Sequence, residues 1–183
     1  MAEKYHGQDL KDAHALAIGK IVMAWNEYHE MLGQTYGEIC GRANWQDSLS
    51  EWQSISNDHQ QRQKLLQAAK AHLSGRALEE TIWVVETTNQ MLADQRNIGV
   101  HMPLMSYTDR DGTHQILPLA MFGNRRAGSM VGRDLLGEYE HFRSQIVRLI
   151  FFAGSIHYNI SPVRQGPEVW EDRPILTRWA VDV

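Results

Sequence analysis

The chain has 183 residues, a formal net charge of −4, and hydrophobic and charged fractions of 43% and 22%. These fractions are typical of a globular protein and exclude the disordered, collagen-like and fibrous classes. The negative charge argues against non-specific coating of nucleic acid, which depends on many Lys and Arg contacts to phosphate, but it permits a local site.

A long amphipathic helix is predicted first, from Gln8 to about Cys40. Its apolar residues recur at intervals of three and four; they are Leu16, Ile18, Ile21, Val22, Trp25, Tyr28, Leu32 and Ile39. Gly33 and Gly37 are expected to weaken the last turns, because glycine is a poor helix former. A short segment with two tryptophans, residues 45–52, follows the helix.

Two more helices are predicted in the middle of the chain. The side chains of Ser56, Asn57 and Asp58 can cap the first of them, which extends to about Ser74. Another long helix follows over about residues 77–98, where apolar residues again recur at helical spacing.

The pattern changes between residues 101 and 124, where MPLMSYT and THQILPLAMF flank the sequence DRDG. The Asp-Gly pair is typical of a tight turn, so a β-hairpin or structured loop is predicted there. A final long helix is predicted over about residues 130–158. The proline-containing remainder is expected to be an extended tail that packs on the body through Trp170 or Trp179.

Together these elements predict one all-α domain over residues 1–183, a bundle of four to five helices. The hairpin or loop would be an insertion at about residues 102–128. The extended C-terminal tail would cover about residues 160–183.

Several features predict a cytoplasmic protein that does not enter a membrane. Cys40 is the sole cysteine, which excludes an intrachain disulfide or a thiolate metal cluster and favours a reducing compartment. The N-terminal residues are too polar for a signal peptide, and the longest apolar run, Leu149 to Ala153, is too short to span a bilayer.

A helical bundle can hold two iron ions when two helices carry Glu-x-x-His and two others each supply a Glu. Glu138 and His141 have this spacing on a predicted helix. The remaining groups lack a helix or a second partner motif; they are Glu3 with His6, and Glu27 and Glu30 with His29. Solvated helix faces explain these residues better, so no metal or other cofactor is expected.

Other chemistries find little support in the sequence. Cys40 has no neighbouring His in sequence, and no Ser stands in a nucleophile-elbow pattern. No glycine-rich phosphate-binding loop is present. The six tryptophans are expected to pack in the core.

The stretch LADQRNIGVHMPL, residues 92–104, places Arg96, Asn97 and His101 at the end of a predicted helix. In an unbroken α-helix, residues five apart differ by about 140° around the axis, so Arg96 and His101 would not face one pocket. Gly99 and Pro103 are helix-stop signals, and a break there is expected to turn the two side chains together.

This stretch resembles the motif of the HEPN family of all-α nucleic-acid enzymes and toxins. The family motif is Arg, usually a polar residue, and His after four to six intervening positions, at the end of the third of four core helices. Arg96, Asn97 and His101 match it, and AIGKIVMAWNEYHEML resembles the first helix of small bacterial members. The likeness covers about residues 10–101 and 130–158.

The resemblance implies metal-independent endonucleolytic cleavage of RNA, in which a ribose 2′-hydroxyl attacks the adjacent phosphate. His101 would transfer a proton, Arg96 would hold the phosphate and its developing charge, and Asn97 would orient them. It further implies a homodimer whose two motifs face one cleft, a toxin or defence role, and an antitoxin protein as a partner. A non-catalytic module of the same family, which binds RNA or another protein, is the alternative.

A purely structural role for the motif is open as well. Arg96 could bond helix-end carbonyls or pair with Asp94 or Glu86, and His101 could be a hydrogen-bonded turn residue. The three residues would then only close a helix.

Overall fold

The computed structural model describes residues 7–180. Within them lie seven α-helices and one two-stranded sheet; they are α1 (Gly7–Cys40), α2 (Trp45–Ser54), α3 (Asp58–His72), α4 (Gly75–Thr87), α5 (Ala93–His101), β1 (Leu104–Thr108), β2 (His114–Pro118), α6 (Arg125–Ser129) and α7 (Leu135–Ile160). The prediction of an all-α bundle with a hairpin insertion is confirmed.

The centre of the bundle is the long contact between α1 and α7, the most extensive between any two elements. Both helices present buried apolar side chains to it at helical spacing; among them are Ile21, Tyr28 and Leu32 of α1 and Phe142, Ile146, Leu149 and Phe152 of α7. Helices α2, α3, α4 and α5 surround this pair. Burial of these side chains is the main stabilising contribution to the fold.

Gly33 and Gly37 allow α2 to approach α1 closely. A Cβ atom on Gly33 would lie 2.7 Å from Nε1 of Trp52, and one on Gly37 would lie 2.8 Å from Cδ1 of Trp45. The helix continues past both glycines to Cys40. Their role is therefore to make room for two indole rings, which the sequence pattern alone does not reveal.

The helix that carries the motif does not break at Gly99, and that prediction is wrong. From α4 the chain passes through a π-helical turn, Thr88–Leu92, and then through α5 without interruption to His101. A Cβ atom on Gly99 would lie 2.8 Å from Cδ1 of the buried Ile21. Gly99 thus serves close packing of α5 on α1.

Strands β1 and β2 form an antiparallel hairpin in which Leu104 pairs with Pro118 and Thr108 with His114. Gly112 in its turn has φ +86°, a conformation that glycine adopts without strain. Helix α7 begins later than predicted, after Gly132 at φ +78° and after Asp134.

The C-terminal segment packs along α5 and α7 through backbone hydrogen bonds. Nε2 of Gln95 donates to the carbonyls of Thr177 (3.0 Å) and Arg178 (2.8 Å), and the N–H of Thr177 donates to Oε1 of Gln145. The ring of Trp179 lies 6.1 Å from that of Phe142. The expectation that the tail packs on the body is confirmed.

Among residues 7–180, no helix combines the length and the apolar character needed to cross a membrane.

Candidate functional site

Arg96, Asn97 and His101 meet at the C-terminal end of α5. Nη1 of Arg96 lies 3.0 Å from Oδ1 of Asn97 and 3.0 Å from Nε2 of His101. Arg96 is half-buried and His101 is exposed. The side chain of Arg96 is long enough to reach His101 around the helix axis, so no helix break is needed to bring the two groups together.

The hydrogen bond to Arg96 fixes the tautomer of His101. A guanidinium group has only donors, so Nε2 of the imidazole must accept and the ring proton is carried by Nδ1. In this arrangement the lone pair of Nε2 points at Arg96. The unprotonated nitrogen that a general base requires therefore lies next to the cation.

Arg96 and Asn97 also line an open cavity of about 480 Å³. Its other walls come from α1, from the N-terminal end of α3 with the residues before it, and from the π-helical turn. The remaining lining residues are Trp25, Ser56, Asn57, Asp58, His59, Arg62, Asn89 and Ala93. The volume is that of an ordinary small-ligand site.

A second Arg–His pair includes another residue of the cavity wall, Arg62, and sequence reasoning did not find it. Nη1 of Arg62 lies 3.0 Å from Nε2 of His29, and Nε of Arg62 donates to Oδ1 of Asn89 at 2.8 Å. Nδ1 of His29 donates to Oε1 of Gln61 at 3.1 Å, and Gln61 is held in turn by the carbonyl of Trp52. In both pairs the arginine therefore donates to Nε2 of the histidine.

Burial lowers the pKa of His29 to about 4. The positive charges of Arg62 and Arg96 lower it too, against the opposing effect of Asp58. At neutral pH the ring is therefore uncharged, as the hydrogen bond from Arg62 requires.

Trp25 lies close to both arginines. Cζ of Arg62 is 5.6 Å and Cζ of Arg96 is 5.9 Å from the centre of its ring, within the range of a cation–π contact. The indole N–H donates to Oδ2 of Asp58 at 2.8 Å. With 3% of its surface exposed, Trp25 is a core residue that positions the guanidinium groups, in line with the predicted packing role.

The π-helical turn Thr88–Leu92 supplies Asn89 to the cavity. Oδ1 of Asn89 lies 2.8 Å from Nε of Arg62 and 3.3 Å from Nδ1 of His59. The buried hydroxyl of Tyr28 forms a hydrogen bond of 2.6 Å with Oγ1 of Thr88 in the same turn. Single π turns inside α-helices are often found at functional sites. No composition signal marks this turn in the sequence.

Neither arginine of the cavity has a carboxylate within salt-bridge distance among residues 7–180. Asp94 pairs instead with Arg178 at 2.7 Å, so the proposed pairing of Arg96 with Asp94 or Glu86 is wrong. Nε of Arg96 is buried without a hydrogen-bond partner in the same part of the chain.

Glu138 and His141 have other partners. Oε1 of Glu138 accepts a hydrogen bond from Arg133 at 2.7 Å, and its Oε2 accepts one from the N–H of Ala180 at 3.0 Å. Nε2 of His141 donates to the carbonyl of Thr177. In the described part of the chain, no group of three or more His, Cys, Asp and Glu side chains is placed to hold a metal ion. Glu3 and His6 lie outside that part.

Comparison with protein-family models, with curated proteins and with solved structures found no match to this chain.

Proposed function

We propose that this protein is a metal-independent endoribonuclease of the HEPN kind, with Arg96, Asn97 and His101 at the centre of its site. The observation that carries the proposal is the hydrogen bond from Arg96 to the unprotonated Nε2 of His101, at the edge of an open cavity that holds a second arginine. A base and a phosphate-binding cation are thereby adjacent.

In the proposed reaction, Nε2 of His101 takes the proton of a ribose 2′-hydroxyl, and the 2′-oxygen attacks the adjacent phosphorus. The bond from phosphorus to the 5′-oxygen of the next nucleotide breaks, and this oxygen takes up a proton from solvent, while His101 later releases to solvent the proton it has taken. Arg96 turns its Nη1 donor from His101 to the phosphate and stabilises the developing charge. The products are a 2′,3′-cyclic phosphate and a 5′-hydroxyl, and Asn97 keeps Arg96 oriented throughout.

The proposal includes a symmetric homodimer in which two such motifs share one cleft. Exposure of His101 at the end of α5 supports it, because a partner subunit can reach the ring without rearrangement. Cyclic pairing of two subunits is the commonest closed symmetry. A chain that remains monomeric at micromolar concentration in analytical sedimentation would contradict the shared cleft.

The biological role that fits this chemistry is that of a toxin or defence nuclease in the cytoplasm, held inactive by an antitoxin protein. A toxin that cleaves RNA without a cofactor is active as soon as it folds, so a host that makes one needs a partner that inhibits it. Co-purification of a second chain that suppresses cleavage is the expected result.

The test is cleavage of a mixture of structured and single-stranded RNA in the presence of a chelator. We expect His101→Ala to lower the rate by about 10²–10⁴-fold and Arg96→Ala by about 10²–10³-fold, while both variants stay folded. Matched controls are His72→Ala and Arg110→Ala, exposed residues outside the cavity. Equal cleavage by all five proteins would indicate a contaminating nuclease and refute the assignment.

RNA binding without cleavage is the second candidate function, and one observation favours it. Arg96 occupies Nε2 of His101, the only ring nitrogen able to accept a proton. A site in which this bond persists would hold phosphate without activating the 2′-hydroxyl. Unchanged RNA that is nevertheless retained by the wild type and released by Arg96→Ala would favour this module over the enzyme.

A further inference from the structure

Arg62 carries a buried charge that no salt bridge within residues 7–180 neutralises, although Asp58 is near enough to act on it electrostatically. The residue is 2% exposed, and its two hydrogen-bond partners, Nε2 of His29 and Oδ1 of Asn89, are neutral. Burying a cation is costly unless an anion accompanies it. Within residues 7–180 no carboxylate lies close enough to form a salt bridge with Arg62.

One guanidinium nitrogen of Arg62 has no hydrogen-bond partner within residues 7–180. Nε and Nη1 are engaged, whereas Nη2 forms no hydrogen bond in the described part of the chain and is not among its buried unpaired atoms. Because Arg62 is part of the cavity wall, Nη2 is available to a ligand there. A guanidinium edge with two N–H donors suits a phosphate oxygen.

The charge of the cavity is positive. Arg62 and Arg96 both line it, and the one carboxylate among the described lining residues is Asp58, which already accepts from Trp25. The N-terminal end of the 15-residue helix α3 opens into the same space and adds a partial positive charge. Two separate cations with few anions around them favour a ligand with more than one negative group.

We propose that Arg62 binds a second backbone phosphate of the RNA strand, next to the scissile phosphate at Arg96 and His101. This inference rests on the proposed function and extends it, since it assigns the strand two anchoring points. Cζ of each arginine lies within 6 Å of the Trp25 ring centre, so the two groups are near enough for successive phosphates of one strand to contact both. His29 and Asn89 are positioning residues that hold Arg62 in place.

The experiment uses trinucleotides with a single ribose 2′-hydroxyl, so that one bond can be cleaved. The phosphate that is not cleaved is either natural or a neutral methylphosphonate, and it is placed on the 5′ side or the 3′ side of the cleaved bond. The wild type is expected to cleave the fully charged substrate about tenfold or more faster, measured as kcat/KM, in one of these two placements. Equal rates with and without the second charge in both placements would overturn the proposal.

Protein variants then assign the preference to Arg62. Arg62→Gln should cleave the charged and the neutral substrates at similar rates, whereas Arg110→Gln, which removes one charge from the exposed hairpin turn, should keep the wild-type preference. A folded Arg62→Gln that still prefers the charged substrate would contradict the assignment. If Arg62→Gln does not fold, the comparison of charged and neutral substrates with the wild type still tests whether a second phosphate is bound.

Failure of the enzyme proposal remains distinguishable from failure of this one. If no RNA is cleaved, the binding of all-deoxy trinucleotides to the wild type is measured by calorimetry. Weaker binding of the methylphosphonate form, by about tenfold, would support the second phosphate position without any catalysis. Equal binding of both forms would refute it.

Discussion

Arg62 and Arg96 each hold the imidazole ring of a histidine. In both pairs the guanidinium donates to Nε2, which therefore carries a lone pair. The environments differ, since His29 is 8% exposed while His101 is at the surface. The buried ring serves the structure, and the exposed ring is accessible to a substrate.

His29 should make the protein sensitive to acid. Its folded pKa of about 4 lies below the ordinary value of 6.5, so between these values the unfolded chain binds more protons. Stability from this group is complete above pH 6.5 and is lost as the pH falls towards 4, by an amount on the order of 3 kcal/mol. Urea unfolding at pH 7 and pH 4.5 measures the difference.

His29→Gln removes this titration and should flatten the decline in unfolding free energy between the two pH values. His72→Gln, on the exposed face of α3, is the matched control and should decline as the wild type does. An equally steep decline in His29→Gln would contradict the assignment to His29.

The sequence could predict one half of the site. Arg96, Asn97 and His101 are neighbours in sequence, so their proximity depends on one helix end. Arg62 and His29 come together only because α3 crosses α1, which no local pattern specifies. The sequence did contain one indication of the second pair. Trp25 and His29 are four residues apart, as are Asp58 and Arg62, and residues at this spacing share one face of a helix.

At the scale of the elements, α1 contains glycines of two kinds. Gly33 lies against Trp52, a rigid ring that is 1% exposed, whereas a Cβ atom on Gly19 would have no neighbour within 4 Å. Helix propensity favours Ala at both positions by about 1 kcal/mol, but steric overlap opposes it at Gly33.

Gly33→Ala is therefore expected to destabilise the protein by about 1–3 kcal/mol, and Gly19→Ala to stabilise it by up to about 1 kcal/mol. Chemical denaturation of both variants at pH 7 gives the two values. If both substitutions stabilise the protein, α2 does not pack on α1 as described.

The long helices and the hairpin were predictable because period and turn chemistry are local properties. The exact ends of the helices were harder to predict, since α7 starts only after Gly132 and Asp134. The continuation of α5 through Gly99 depends on packing against α1, and this packing outweighs the helix-stop preference of a glycine. For this reason the predicted break at Gly99 was wrong.

At the scale of the molecule, the C-terminal segment joins helices that lie far apart in sequence. The ring of Trp179 lies 4.3 Å from Cζ of Arg133 and 5.4 Å from Cζ of Arg178, and it also contacts Phe142. Trp179 thereby closes one end of the bundle next to α5, the helix that carries the motif.

Trp179→Ala should lower the unfolding free energy by about 2–3 kcal/mol, less than a fully buried Trp would lose. It should also expose the backbone of residues 177–180 to faster hydrogen exchange. Ile175→Ala is the control in the same segment, because Ile175 is 83% exposed and should change neither property. Unchanged exchange in Trp179→Ala would mean that the polar contacts of Gln95 and Gln145 suffice to hold the segment.

The proposed chemistry depends most on the 2′-hydroxyl and on the Arg96–His101 pair. Both are tested together by a DNA oligonucleotide that contains one ribonucleotide, incubated with the wild type and with His101→Ala in a chelator. We predict a single cut, on the 3′ side of the ribonucleotide, with a 2′,3′-cyclic phosphate end, and at least 10²-fold slower cutting by the variant. Cuts at deoxynucleotides, or equal rates for the two proteins, would contradict RNA cleavage by this site.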